Sequence, residues 1–207
     1  MQSGLTLQQR WLRRGRRYGA GDALLEATYA DIARRYGERH RSYHTLQHLE
    51  AMFADCDRFG VDSAAVDFAV WFHDIVYRPG SAANEARSAR LAAAALAAIG
   101  VAGPLAATVE RMILCSKRHR DPQGDSDTRL FLDADMAILG AGAEDYQRYA
   151  EAVRREFKRL PGWLYRRGRR QFLAGLLRGG AIFESPGFYQ AYEERARVNI
   201  AGELARL

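Results

Sequence analysis

Cysteine is scarce in this 207-residue chain, with Cys56 and Cys115 the only two. They form no CxxC pair, so neither a zinc knuckle nor a disulfide framework is indicated, and both read as small buried apolar residues. That usage suits a reducing, cytoplasmic compartment. Long apolar runs are missing too. The longest, LAAAALAAIGVAGPLAA, is Ala-rich and broken by Gly100, Gly103 and Pro104. It is too interrupted for a membrane span and fits a buried helix ending at a glycine. The N-terminal stretch MQSGLTLQQRWLRRGRRYGA has no apolar core of signal-peptide length, so secretion is not expected. The chain also lacks an alternating strand pattern of useful length, a tandem repeat and a Ser/Gly-rich linker.

What is present is helical periodicity. With 48% hydrophobic residues the chain can bury a proper core without staples. The expected fold is all-α, a single domain over residues 1–207. Its core spans about residues 20–145, and a basic C-terminal helical extension, about 146–207, packs on the same core. Leu24, Leu25, Tyr29 and Ile32 mark one stripe. Ser42 can cap a helix carrying YHTLQHLEAMFADCDRFG, closed by Gly60, and Asp62 or Ser63 can cap DSAAVDFAVWFHDIVYRPG. NEARSARLAAAALAAIG and PLAATVERMILCSKRH follow, then a polar loop, RDPQGDSDT, and RLFLDADMAILG. Long helical patterns close the chain at AEDYQRYAEAVRREFKRL, RRGRRQFLAGLLR and FYQAYEERARVNIAGELARL.

Charge is unevenly placed. The net charge is +6, and residues 151–207 hold 12 Lys/Arg against 6 Asp/Glu. This bias suits an anionic ligand, either nucleic acid or a small phosphate compound. WLYRRGRRQF is the densest basic stretch and has flanking aromatics; a solvated helix face or an oligomer contact is the favoured reading. No finger, RNP or basic-zipper pattern supports nucleic-acid binding, which is possible but not favoured.

Three stretches carry chemistry. In RSYHTLQHLE, His44 and His48 lie one helical turn apart, a spacing that suits a metal or acid/base site and also two surface histidines. In AVWFHDIVY, His73 and Asp74 sit in an otherwise apolar helix. A buried carboxylate there needs a cation, supplied by a salt bridge or by a metal that imidazole and carboxylate both ligate. In RLFLDADMAILG, Asp133 and Asp135 lie about 200° apart if helical, so Asp133 fits the N-cap of ADMAILG while Asp135 points inward.

The order of His44/His48, His73–Asp74 and Asp135 resembles the HD-domain superfamily of metal-dependent phosphohydrolases, an all-α bundle whose pattern is a His, a later His-Asp doublet and a distant Asp. More narrowly, HRSYHTLQHLEAM, WFHDIVY, NEARSA, LDADMAILG and ERARVNIAGEL resemble a family of bacterial proteins of about this length described as predicted metal-dependent HD phosphohydrolases. The resemblance implies His48, His73, Asp74 and Asp135 as ligands of one divalent metal (manganese, iron, nickel, cobalt, magnesium or zinc). YHTLQHLEAM is also similar to the opening of cyclic-nucleotide phosphodiesterases, which implies His44 as a proton donor to the leaving group. The histidines that build a second metal site in some relatives are not clustered here beyond His119.

The implied activity is hydrolysis of a small phosphate ester, plausibly a nucleotide. A metal lowers the pKa of bound water from ~15.7 toward ~7, the resulting hydroxide attacks phosphorus, Asp74 or Asp135 accepts its proton, and His44 acts as general acid. Glu85 either orients the water or favours the start of its helix. His119 reads as a pocket residue or a helix-terminal surface histidine, and His40 as surface. Arg41 is a candidate for phosphate contact, with Arg120, Arg154, Arg155, Arg169 and Arg170. Trp71, Phe72, Phe183, Phe188, Tyr189 and Tyr192 read as packing, and Tyr43 as packing or substrate contact. The alternatives are a non-catalytic nucleotide- or metal-binding regulator and a basic nucleic-acid-binding protein.

Overall fold

The computed structural model describes residues 4–207; Met1, Gln2 and Ser3 of the expected domain lie outside the described residues. Among the described residues there are ten α-helices and one 3₁₀ turn, 70% helix in all, and no strand. The fold is all-α. No helix is long and apolar enough to cross a membrane. The chain divides into two compact units, Met1–Leu132 and Asp133–Leu207. The division falls inside a helix, upstream of the boundary expected near residue 145.

The first unit holds α1 (Leu7–Arg16), α2 (Asp22–Tyr36), α3 (Leu46–Arg58), α4 (Ala64–Phe72), α5 (Asn84–Ala98) and α6 (Pro104–Ser116). It also holds most of α7 (Ser126–Met136), the helix in which the division falls. The sequence reading assigns no helix before Leu24, yet α1 starts with a capping box. The Thr6 hydroxyl accepts the Gln9 amide while the Gln9 side chain accepts the Thr6 amide. α4 is the centre of the unit, touching α3, α5 and α6. Ser63 caps it through the Val66 amide, and every residue from Ala65 to Phe72 is buried. Each large apolar side chain so buried contributes about 1.5–3 kcal/mol relative to exposure. Trp11 of α1 meets Phe68, Trp71 and Phe72 edge-on, at ring distances of 5.6 to 6.1 Å, and donates its indole N–H to the Leu25 carbonyl. Leu24, expected in the same stripe as Leu25, is instead 40% exposed.

Glycine ends two of these helices as expected. Gly60 and Gly100 have φ of 68° and 83°, and the residue after each sends its amide back to a carbonyl five positions earlier, Val61 to Cys56 and Val101 to Leu96. Polar groups inside the unit are paired. Arg10 bonds Asp57, and Arg14 Nε donates to Asp67 at 2.7 Å. Burial raises the Asp67 carboxyl above its ordinary value, with Arg14 opposing part of that rise. Burial also pushes the Cys56 thiol up to about 12, whereas Cys115 is only half-buried.

The second unit holds the end of α7, a 3₁₀ turn (Ala137–Gly140), α8 (Ala143–Glu156), α9 (Gly162–Arg178) and α10 (Pro186–Arg206). α10 packs on the 3₁₀ turn and on α9. Gly140 permits the first contact, because a Cβ there would lie 2.5 Å from Tyr192 Cβ and 2.6 Å from its carbonyl oxygen. The turn's carbonyls are read from α10. Asn199 donates to Leu139 and Ala141, both at 2.9 Å, and Arg195 to Gly140 at 2.8 Å. Phe183, Phe188 and Tyr192 are buried as expected; Tyr189 is not, at 51% exposure.

Asp133 is not an N-cap. α7 begins at Ser126 with the Asp125 carboxylate accepting the Thr128 amide at 3.0 Å, so the helix starts inside the expected loop and runs through Asp133. Asp133 is buried and accepts the amides of Glu184 and Ser185 at 3.0 and 2.7 Å, fixing the entry to α10.

Candidate metal centre

The site sits at the ends of two helices rather than along them. The sequence reading puts His44 and His48 on one helix and the His73–Asp74 doublet inside another. In the structure α3 begins at Leu46 with Thr45 as its N-cap, so His48 lies in the first turn and His44 in the preceding loop. α4 ends at Phe72, so His73 is its C-cap and Asp74 lies in the following turn. Long-range hydrogen bonds account for both boundaries. Arg41, whose side chain is fully shielded from solvent, donates through Nη1 to the carbonyls of His44 (3.1 Å) and Asp74 (2.8 Å) and through Nη2 to that of Ile75 (3.1 Å). Ser88 of α5 bonds both the amide and the carbonyl of Val76. These partners replace the helical bonds that the backbone gives up, as buried backbone groups require.

Three ligand-capable atoms converge in this frame. One donor atom from each of His48, His73 and Asp74 lies within 4.8 Å of the others. His48 Nε2 and His73 Nε2 are 3.2 Å apart, and His73 Nε2 is 3.3 Å from Asp74 Oδ2. Both imidazoles are buried, at 4% and 1% exposure, and the carboxylate is half-buried. His73 Nδ1 lies 3.1 Å from the Val70 carbonyl. A carbonyl can only accept, so the contact uses a proton on Nδ1, and a neutral ring then presents its Nε2 lone pair toward His48 and Asp74. A lone pair facing a carboxylate oxygen at 3.3 Å is repulsive unless a cation or a proton lies between them. The donor set therefore fits a divalent metal of borderline or hard character.

His44 borders this cluster. Its Nε2 is 3.7 Å from Asp74 Oδ2, its ring is 6.0 Å from that of His48, and its side chain is 20% exposed, so one edge reaches solvent. Tyr77 stacks on it at 4.1 Å between centroids, and Tyr43 meets it edge-on at 5.0 Å while leaning on His48 at 4.9 Å. The two tyrosines orient both imidazoles. The sequence reading assigns Tyr77 no role; the tyrosine ending WFHDIVY is the signal that points to it.

The other expected residues are placed as follows. Glu85 lies in the first turn of α5, and its Oε2 is shielded from solvent with no hydrogen-bond partner among the described residues. His119 follows α6, half-buried, at φ 47°, the one non-glycine residue with positive φ among those described. Lys117 Nζ donates to the Ala82 carbonyl at 2.5 Å, which brings the end of α6 beside the start of α5. Arg41 positions the two loops instead of offering its guanidinium to a phosphate, a correction that follows from its burial and its carbonyl partners. His40, expected to lack a partner, bonds the Tyr77 carbonyl at 2.8 Å. Asp135 is half-buried in the last turn of α7, within the second unit. Arg169 is buried against Glu203, and Arg154 donates to the Phe157 carbonyl over the Tyr165 ring, so neither presents an open fork; Arg120, Arg155 and Arg170 are exposed.

A scan against protein-family models, a search of curated proteins and a search of solved structures each give no match for this chain.

Proposed function

We propose that this protein is a metal-dependent phosphohydrolase of the HD type acting on a small phosphate ester, plausibly a nucleotide. The observation that carries the reading is the convergence of two buried imidazole nitrogens and a carboxylate oxygen within 4.8 Å, with the His73 lone pair turned inward by its bond to Val70. His48, His73 and Asp74 would hold the ion. Asp135, implied as a ligand by the sequence resemblance, belongs to the second unit and is not one of the three grouped atoms. When bound, a divalent cation supplies Lewis acidity, stabilising negative charge on a phosphoryl oxygen and making water acidic enough to ionise near neutral pH.

The chain's own residues do the rest. His44, half-exposed and held between Tyr43 and Tyr77, offers a proton at Nε2 to a departing alkoxide; an imidazole with a reference pKa of ~6.5 suits that exchange. Asp74 Oδ2 lies 3.7 Å from that nitrogen. Glu85, with an unsatisfied buried oxygen, can accept a hydrogen bond from an attacking water. His119, just after α6, is the residue we assign to substrate contact on the sequence resemblance alone.

The test is metal analysis of the purified protein, followed by a phosphate-release screen over nucleotides and generic esters with added divalent ions. Asp74→Ala is expected to lose metal and turnover together. Metal content unchanged by Asp74→Ala, or a wild-type protein that binds no divalent ion, rejects the reading in favour of an imidazolium–carboxylate pair.

A further inference from the structure

The second unit carries a surface that the metal centre does not explain. Between residues 154 and 178 there are nine Lys/Arg and one acid, Glu156, which is buried. Of the α9 arginines only Arg169 turns inward. Its Nε and Nη2 bond the Glu203 carboxylate at 2.8 and 3.0 Å, and its Nη1 bonds the Tyr149 hydroxyl. Arg166, Arg167, Arg170 and Arg178 are exposed and form no ion pair among the described residues. Exposed arginines elsewhere include some beside a carboxylate, Arg16 with Asp22, Arg34 with Asp31 and Arg148 with Asp145, and some without one among the described residues, Arg13, Arg17, Arg87 and Arg90. α9 has no acidic residue at all, and Arg155, Lys158 and Arg159 extend the same charge from the end of α8.

An aromatic side chain belongs to this face. Trp163 is 62% exposed, and it shares one helical stripe with Arg167 and Arg170, at i, i+4 and i+7. Trp11 and Trp71 are both fully buried, so the one exposed indole lies on the helix that carries the exposed Arg166, Arg167, Arg170 and Arg178. Guanidinium forks match phosphodiester oxygens, and neighbours three or four residues apart on a helix are about 5–6 Å from each other, a spacing that successive phosphates of a flexible strand can meet.

We propose that this face of α9 binds single-stranded nucleic acid, with Arg166, Arg167 and Arg170 on the phosphates and Trp163 stacked on a base. A duplex supplies the phosphates but keeps its bases stacked on one another, leaving the indole without a partner. An anionic membrane supplies phosphates too, but it also requires a continuous apolar stripe to insert. On α9 Tyr165 and Leu173 are buried, and the exposed Leu164 and Phe172, at 37% each, are separated by Gly168 at the position between them on the same face, so the apolar stripe is broken.

The experiment uses the full-length protein with oligothymidylate and oligouridylate strands, a duplex of the same length, and phosphatidylserine vesicles, from about 50 to about 200 mM salt. Strand binding is expected to exceed duplex and vesicle binding and to quench the exposed tryptophan. Its affinity should fall with salt at a log–log slope of about −0.7 per phosphate contact, giving about −2 for three contacts. Arg166→Ser/Arg167→Ser/Arg170→Ser should flatten that slope by about 2, and Trp163→Ala should weaken binding about 5- to 150-fold and abolish the quench. All four positions are exposed, and unchanged circular dichroism of the variants certifies their folding. Tighter binding to duplex or vesicles, a slope the triple variant leaves intact, or no strand binding at low salt overturns the proposal.

Discussion

The two units each bury a polar cluster, and the clusters are built on opposite principles. In the second unit donors and acceptors are matched. Arg169 offers its fork to Glu203, the Tyr146 hydroxyl donates to the same carboxylate at 2.6 Å, and Tyr149 takes another guanidinium N–H. The first unit brings two imidazole nitrogens and a carboxylate oxygen within 4.8 Å of one another, a gathering of ligand-type atoms rather than a guanidinium–carboxylate pairing. A closed network of charges holds helices together, whereas a gathering of imidazole and carboxylate atoms is what the proposed metal site would use.

That contrast can be broken at either end. The largest effect is expected from Arg169→Ala, which strands the Glu203 carboxylate. Removing one member of a buried pair costs about 3–5 kcal/mol, so a urea midpoint close to wild type would show that the cluster is not balanced internally. At the other cluster, His44→Ala should keep bound metal and stability while turnover falls about 10²- to 10⁴-fold. Full turnover in that variant removes the proton-donor role.

A smaller effect should appear with acid. Burial alone would raise the Glu203 carboxyl, but its bonds to Arg169 and Tyr146 outweigh that, and its pKa is lowered from the ordinary value. A depressed folded pKa means that the stabilisation is fully present above the unfolded value of ~4.3 and is lost as pH falls below it toward the folded value. Thermal midpoints of wild type and Glu203→Gln should therefore converge as pH drops below ~4; a constant gap would contradict the assignment.

Much of this was legible in the sequence, for identifiable reasons. Apolar periodicity and glycine stops located α2, α5, α6 and the C-terminal helices, because those signals are local. The candidate ligands were legible because His and Asp rarely sit unpaired among Phe, Val and Ile. The ends of α3 and α4 beside those ligands were not. They are set by Arg41 and Ser88, which reach across the fold to carbonyls at Asp74, Ile75 and Val76, and no local pattern encodes such a bond. Arg169 was equally opaque. Flanked by Arg166, Arg167 and Arg170, it differs from them only in the helix face on which it falls, and its partner is 34 residues away. The start of α1 is a different case, since Thr6 and Gln9 stand at capping-box spacing in plain view.

Arg41 has a consequence for anyone who would transplant this constellation. One planar group spans the loop before α3 and the turn after α4, and it does so through main-chain oxygens, which every residue possesses. A graft of the imidazoles and the carboxylate onto another helical scaffold would reproduce the ingredients without their alignment. The buried guanidinium is the part of the recipe to copy first.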